Sequence, residues 1–205
     1  MFGLIRIIIG LIIFVCIVSI VKTKKIKLKH KRKISIISFV FTIIIVILLN
    51  FIPFENIFVT FHSPEAVYKY FNFVSDIKLV VQGQNCDLVV GGEDRSYVYQ
   101  IVPKTTDGWK VGTGFNSKNI AQKLVNGIVV DIYQYKNTSD YFVRLYDSHG
   151  GTSEVSDSCN SKFFSLESYH ETIDETFVFY YAYVFNISRD YKIKVNGEEL
   201  ILFNE

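Results

Sequence analysis

The sequence predicts an α+β fold, in which an N-terminal transmembrane helical hairpin precedes a mostly antiparallel β domain with one or two helices. Two apolar stretches, residues 2–21 and 34–52, flank the basic run KTKKIKLKHKRK at residues 22–33. After the second stretch the chain changes to short runs of β-branched and aromatic residues separated by Gly, Asn and Asp, a pattern typical of strands and tight turns. We therefore expect an anchor at residues 1–53 and an extracytoplasmic α+β domain at residues 54–205.

The two apolar stretches have the length and composition of membrane-spanning helices. Residues 34–52 carry no charge over about 28 Å of helix, close to the ~30 Å hydrocarbon core of a bilayer. Residues 2–21 carry only Arg6, near the end of the stretch, where its side chain can reach the interface. A cleaved signal peptide is the alternative for this first stretch, and it is disfavoured because most of the positive charge follows the apolar core.

The basic run contains seven lysines, one arginine and no acidic residue. The positive-inside rule places such a run in the cytoplasm, so the N-terminus and the C-terminal domain are predicted to lie outside, in a two-pass protein of the cell membrane. A nucleic-acid arm is disfavoured, because a short turn between two membrane entries leaves its lysines beside lipid headgroups. The residues predicted to contact anionic lipids from this cytoplasmic turn are Lys22, Lys24, Lys25, Lys27, Lys29, Lys31, Arg32 and Lys33.

Charge is distributed unequally along the chain. Residues 1–53 contain nine basic and no acidic residues, so residues 54–205 contain thirteen basic and all twenty acidic residues, a net charge of −7. A domain with this charge does not favour nucleic acid or an anionic membrane surface as a partner. The negative charge is compatible with a cation or a basic partner, but the usual role of such a charge is to keep a domain soluble.

Three cysteines are present, and Cys16 lies in the first apolar stretch, where we interpret it as a small apolar residue, with a lipidation site as the alternative. Cys86 and Cys159 lie in the C-terminal domain, where an oxidising compartment allows a disulfide between them. A bridge that closes a loop of this length contributes roughly 4 kcal/mol in chain-entropy models. The alternative is two free thiols, since the sequence does not show whether the two Cα atoms lie within bridging distance.

Several elements of the domain carry local signals. A helix is predicted over residues 64–73, because Ser63 can cap its N-terminus and Pro64 suits its first position. A second, shorter helix is predicted in NSKNIAQKLV, residues 116–125. GIVVDIYQYKN and YFVRLYD flank TSD as a hairpin. The pair Asn196-Gly197 between two alternating runs is the strongest hairpin signal in the chain.

The densest aromatic segment is TFVFYYAYVF, residues 176–185. Strand alternation divides its side chains between two faces. The first face has Phe177, Phe179, Tyr181 and Tyr183, and the second has Val178, Tyr180 and Ala182. We interpret the segment as a central core strand with two covered faces, and the alternative is an aromatic groove that binds a glycan or a peptide.

Two polar segments hold residue types that occur in active sites. YDSHGGTSE contains Ser148 and His149, but the strand–turn–helix context of a hydrolase nucleophile is absent, and catalytic Ser and His normally come from distant positions. SYHETIDET is acidic but lacks the alternating spacing of a calcium-binding loop. We interpret both as surface loops. No catalytic residue, cofactor or metal site is predicted, because the chain has no CxxC pair, HExxH, P-loop or GxGxxG motif.

The layout of the chain resembles a known group of proteins. FENIFVTFHSPEAVYKYFN at residues 54–72 and DGWK at residues 107–110 follow the hairpin and its lysine-rich turn. This arrangement is similar to that of uncharacterised two-helix membrane-anchored proteins of low-GC Gram-positive bacteria. The resemblance implies an extracytoplasmic domain that opens with the SPE-A helix, and it implies no activity.

These observations favour a non-enzymatic, membrane-anchored extracytoplasmic domain that binds a partner at the bacterial cell envelope. The partner is expected to be a protein, a peptide or a polymer, in addition to the lipid bilayer and its anionic lipids. One alternative is an envelope hydrolase that uses the loop around Ser148 and His149. Another is a sensor subunit of a larger membrane complex.

Overall fold

The computed structural model describes residues 4–23, 28–48, 53–72, 76–92, 97–113, 116–147, 153–170 and 175–203. The chain divides into two compact units, Met1–Val59 and Thr60–Glu205, whereas the sequence predicts a boundary at Pro53. The first unit contains helix α1 (Leu4–Thr23), helix α2 (Leu28–Leu48) and a short 3₁₀ helix (Phe54–Ile57).

The predicted transmembrane hairpin is wrong, and with it the membrane part of the fold class and the two-pass membrane localisation. Among the residues that the structure describes, no helix is long and apolar enough to cross a membrane. The positions of the charges give a physical reason. In α1 fifteen uncharged residues lie between Arg6 and Lys22, and in α2 fifteen follow Lys33. Fifteen residues span about 22 Å of helix, less than the ~30 Å of a bilayer core.

The basic run is divided between the two helices. Lys22 belongs to α1, whereas Lys24, Lys25 and Lys27 lie outside the described residues. The remaining basic residues of the run, which belong to the first two turns of α2, are Lys29, Lys31, Arg32 and Lys33. The predicted turn is therefore largely helical at both of its ends.

The second unit consists mainly of antiparallel strands and opens with helix α3 (Pro64–Phe71). The strands are β1 (Ile77–Gln82), β2 (Cys86–Gly91), β3 (Val98–Thr105), β4 (Gly108–Trp109), β5 (Ser117–Val125), β6 (Ile128–Tyr135), β7 (Asp140–Asp147), β8 (Val155–Asp157), β9 (Phe163–His170), β10 (Glu175–Phe185), β11 (Lys192–Val195) and β12 (Glu198–Ile201). They form three sheets. The first sheet has the order β1-β2-β3-β4, the central sheet β5-β6-β7-β10-β9 and the third sheet β12-β11-β8.

Three apolar cores show that the second unit is built in four layers. The helix core joins α3 to the first sheet through Val67, Tyr68, Val89, Val102 and Val111. The middle core joins the first sheet to the central sheet through Val81, Cys86, Leu88, Val90, Ile101, Tyr135, Phe142 and Tyr181. The outer core joins the opposite face of the central sheet to the third sheet, and it includes Val143, Leu145, Ala182, Ile193 and Val195.

Strand β10 lies inside the central sheet, between β7 and β9. Phe179, Tyr181 and Tyr183 face the middle core, and the even-numbered residues from Val178 to Val184 face the outer core. The predicted central strand with two covered faces is therefore confirmed. Continuous apolar character is the expected composition of a strand buried on both sides.

Helix α3 begins as its sequence predicts, with Ser63 as the N-cap. The Ser63 hydroxyl accepts a hydrogen bond from the Ala66 backbone N–H, and Pro64 occupies the first turn. The helix ends at Phe71, two residues before the predicted end. Val67 and Tyr68 are fully buried on its inner face.

Loss of this cap should weaken the domain measurably. We expect Ser63→Ala to lower the free energy of unfolding by about 1 kcal/mol, the usual cost of an N-cap serine. Urea unfolding followed by circular dichroism measures the change. Ser156→Ala is the matched control, since Ser156 is exposed on β8, and an equal loss in both variants would contradict the capping role.

The predicted second helix at residues 116–125 is wrong, because this segment forms the edge strand β5. It pairs with β6 through a turn at Asn126 and Gly127, which both have positive φ angles, 49° and 76°. Cross-strand pairing supplies hydrogen bonds that outweigh the weak helical propensity of the segment. The predicted hairpins at TSD and at Asn196-Gly197 are both confirmed.

Candidate binding site

A charged cluster lies on the middle-core side of the central sheet, near the edge formed by β5. The Arg144 cluster, as we name it, consists of Tyr99, Asn119, Asp131, Tyr133 and Arg144. Asp131 on β6 is directly opposite Arg144 on β7, and Asn119 on β5 is opposite Tyr133. Tyr99 comes from β3 of the first sheet and packs against Tyr133, with 5.3 Å between ring centroids.

Asp131 holds the arginine in place. The Arg144 Nε atom lies 3.1 Å from Asp131 Oδ2, and Nη2 donates a second hydrogen bond to the same oxygen. Asn119 Nδ2 donates to Asp131 Oδ1 at 3.3 Å. Asp131 is 1% exposed, whereas the Arg144 side chain is 28% exposed. The carboxylate is therefore a buried anchor, and the guanidinium reaches solvent.

The guanidinium has a nitrogen that no described residue engages in a hydrogen bond. Its central carbon lies 5.1 Å from the centre of the Tyr99 ring, within the range of a cation–π contact. Within the described residues, Nη1 of Arg144 has no hydrogen-bond partner. Burial alone would lower the pKa of Arg144, but the hydrogen bonds to Asp131 outweigh it and the pKa is raised. The group therefore stays charged and offers donors to a ligand.

The two tyrosines also contribute polar atoms. Burial raises the pKa of Tyr133, and a hydrogen bond with Tyr99 raises it further. The Tyr133 hydroxyl therefore remains neutral, and a tyrosine hydroxyl can both donate and accept a hydrogen bond. Since Asp131 compensates the charge of Arg144, the cluster as a whole is close to neutral.

Exposed side chains of β5 give access to the cluster from solvent. Asn119 and Gln122 are exposed there, and Leu124 is 70% exposed. On β7, Tyr146 follows Arg144 on the same face, and its ring stacks on Phe179 with 5.0 Å between centroids. Amide groups and half-buried aromatic rings therefore surround the arginine.

Two further carboxylates lie in the domain interior, and both hold the β1–β2 turn. Asp87 accepts hydrogen bonds from Trp109 Nε1 at 2.6 Å and from the Gly83 N–H at 3.0 Å, and it pairs with Lys104 at 3.1 Å. All these partners are protein groups. The Asp87 arrangement thus fixes the turn and leaves little for a ligand.

Asp140 has a comparable role on the opposite side of the turn. It accepts hydrogen bonds from Asn85 Nδ2 and from the Tyr183 hydroxyl, both at 2.6 Å, and from the Gln84 N–H at 3.2 Å. Burial would raise its pKa, but the hydrogen bonds from Tyr183 and Asn85 outweigh this effect and lower the pKa. The carboxylate is fully buried, so its role is structural.

The residues singled out from the sequence do not meet at this site. Cys86 and Cys159 are free thiols, the first buried on β2 of the first sheet and the second exposed beyond β8 of the third sheet, so the structure gives the disulfide no support. Burial, followed by the charges of Asp140 and Asp87, raises the pKa of the Cys86 thiol. Ser148 and His149 lie outside the described residues.

The Arg144 cluster is not among the sites predicted from the sequence, although a signal was present. Asp131 interrupts the apolar run GIVVDIYQY, and Arg144 interrupts YFVRLYD. A charged residue inside an otherwise apolar strand is rarely buried unless it is paired. Two such interruptions on consecutive strands of a predicted hairpin therefore indicate an ion pair across the strands.

Comparisons with protein-family models, with curated proteins and with solved structures found no match to the chain. The resemblance to membrane-anchored proteins of low-GC Gram-positive bacteria therefore stays a prediction. In the described part of the chain, no group of three or more His, Cys, Asp or Glu side chains is placed to hold a metal ion. The chemistry that the site offers is hydrogen bonding beside aromatic rings.

Proposed function

We propose that the chain is a non-enzymatic binding domain that uses the Arg144 cluster to bind a neutral, hydroxyl-rich polymer such as a glycan. One observation carries the proposal. The Arg144 guanidinium is fixed by a buried carboxylate and lies over the Tyr99 ring, yet it is partly exposed, and its Nη1 donors have no partner in the part of the chain that the structure describes. Fixed donors beside an aromatic surface are the groups that orient a polar ligand in a binding site.

Electrostatics favours a neutral ligand over an anionic one. Asp131 compensates Arg144 locally, and the surrounding domain has an excess of acidic residues. A polyanion would be repelled by this field. A sugar hydroxyl both donates and accepts hydrogen bonds, so it can pair with Nη1, with the Asn119 amide and with the tyrosine hydroxyls.

The proposal predicts which side chains determine affinity. The test is affinity electrophoresis of the full chain in native gels that contain a mixed-linkage β-glucan, a galactomannan, hydroxyethyl cellulose or glycol chitin, with polygalacturonate as the polyanion. We expect retardation by at least one neutral polymer and none by polygalacturonate. Tyr99→Phe and Asn119→Ala should each weaken binding by about twofold to tenfold, because each removes one hydrogen-bonding group.

Tyr141→Phe is the matched control for Tyr99→Phe. Tyr141 also carries a hydroxyl in a hydrogen bond, with Gln134, but it packs against the outer core on the opposite face of the central sheet. Its variant should bind as the unmodified chain does. Lack of retardation by all four neutral polymers, or unchanged retardation of the Tyr99→Phe/Asn119→Ala double variant, would rule out the proposed site.

A further inference from the structure

A cavity of about 330 Å³ opens between the first sheet and the central sheet, on the side opposite the Arg144 cluster. Both strands that border it, β1 and β9, are edge strands of their sheets. The lining residues are Val80, Val81, Gln82, Lys162, Phe164 and Tyr183. The volume falls at the lower end of the range for small-molecule sites, roughly 300–1,000 Å³.

The lining combines one cation with apolar and aromatic walls. Lys162 Nζ lies 4.8 Å from the centre of the Phe164 ring, in cation–π contact. Within the described residues Lys162 forms no ion pair with a carboxylate. Val81 on β1 supplies apolar surface, whereas the Val80 side chain packs against the helix core. The cavity therefore has one positive charge that no described carboxylate neutralises, at an apolar site.

The inner wall of the cavity is rigid. The Tyr183 hydroxyl donates to buried Asp140 and accepts a hydrogen bond from the Gln84 N–H at 3.3 Å. A Cβ atom on Gly83 would lie 3.0 Å from the Tyr183 ring, so the turn packs tightly against it. Since Tyr183 and its neighbours satisfy Asp140, that carboxylate does not compete for Lys162.

We propose that this cavity binds a small amphipathic monocarboxylate, with the carboxylate at Lys162 and an aromatic or alkyl group between Phe164, Tyr183 and Val81. A single lysine suits a monoanion, because Lys acts as one point charge. A phosphate would need further donors that the lining does not supply. The site is separate from the Arg144 cluster, and it would extend the binding function beyond neutral polymers.

The probe pair is 4-phenylbutyrate and its uncharged amide, 4-phenylbutyramide, titrated into the full chain by saturation-transfer NMR. We expect the carboxylate to bind at least about threefold more tightly than the amide, because an ion pair adds to a shared apolar contact. Lys162→Gln should remove this preference and leave the amide unchanged. Gln82→Trp, which places a bulky ring at the mouth of the cavity, should weaken binding of both probes.

Lys136→Gln is the matched control. Lys136 also lies over an aromatic ring, that of Tyr135 at 5.0 Å, but it does not line the cavity. This variant should keep the preference for the carboxylate. Equal affinity for the two probes in the unmodified chain, absence of binding, or a preference that survives Lys162→Gln would each overturn the proposal. Glycan binding should be unaffected by Lys162→Gln, which separates this test from that of the Arg144 cluster.

Discussion

Replacing Arg144 with methionine should lower the free energy of unfolding by about 3 kcal/mol, since removal of one partner leaves a buried charge uncompensated. Asp131 is 1% exposed and receives two hydrogen bonds from Arg144. After the substitution the Asn119 amide is the one side chain, among the described residues, that still donates a hydrogen bond to Asp131. Methionine retains much of the aliphatic packing of arginine, so the loss of stability comes mainly from removal of the positive charge.

Urea unfolding at pH 7 measures this effect, and two further variants test whether it comes from the ion pair. Arg189→Met is the control, because Arg189 is exposed in a turn, and it should change stability by less than about 0.5 kcal/mol. The double variant Asp131→Leu/Arg144→Met should recover most of the loss, because both charges are then absent. If Arg144→Met and Arg189→Met are equally stable, the ion pair contributes nothing to the fold.

Replacing Asp140 with asparagine should also cost about 3 kcal/mol at neutral pH. The Asp140 carboxylate accepts from the Asn85 amide, the Tyr183 hydroxyl and the Gln84 N–H. An amide supplies one acceptor oxygen and turns an NH₂ group towards these donors. The β1–β2 turn would then lose its attachment to the central sheet. Glu167→Gln on the exposed side of β9 is the control, and it should leave stability nearly unchanged.

The same carboxylate should make the domain sensitive to acid. The pKa of Asp140 is lowered in the folded chain, so the unfolded chain, with an ordinary aspartate pKa of about 3.9, binds the proton first as the pH falls. The stability from Asp140 is therefore present above about pH 4 and is lost as the pH falls through the folded pKa. Urea midpoints between pH 7 and pH 3 should fall less steeply for Asp140→Asn. A parallel fall in both proteins would contradict this assignment.

Elements that are determined by neighbouring residues were predictable from the sequence. The Ser63 cap, the Pro64 first turn and the Asn196-Gly197 hairpin require only a few adjacent positions. Each residue type suits a local feature of the backbone: a cap residue accepts from a free N–H, and Asn or Gly adopts a positive φ angle. The covered faces of β10 were predictable for a related reason, since its apolar run leaves no polar face.

Strand β5 shows where the prediction failed, and why. NSKNIAQKLV has no strong strand composition, and its conformation depends on pairing with β6. The turn residues Asn126 and Gly127 were the available signal, because this pair has the same left-handed geometry as Asn196-Gly197. The turn signal at Asn126-Gly127 predicts a hairpin, and therefore a strand before it, even though the composition of the segment does not.

The sites depend on contacts that are distant in the chain. Tyr99 meets Tyr133 and Arg144 only because β3 of one sheet packs over β6 and β7 of another. The cavity likewise joins β1 to Phe164 and Tyr183, about 80 to 100 positions later. Sheet packing of this kind is not encoded in local pattern or periodicity. The sequence could therefore indicate the Asp131–Arg144 pair but not its surroundings.

The central sheet has a consequence for the cooperativity of the domain. Strand β10 is a wall of the middle core on one face and of the outer core on the other. Disruption of either core therefore removes packing contacts from β10, and the other core depends on the same strand. The two cores therefore cannot unfold independently, in contrast to cores that share no strand. The first, central and third sheets should accordingly lose their order in one transition, as small single domains usually do.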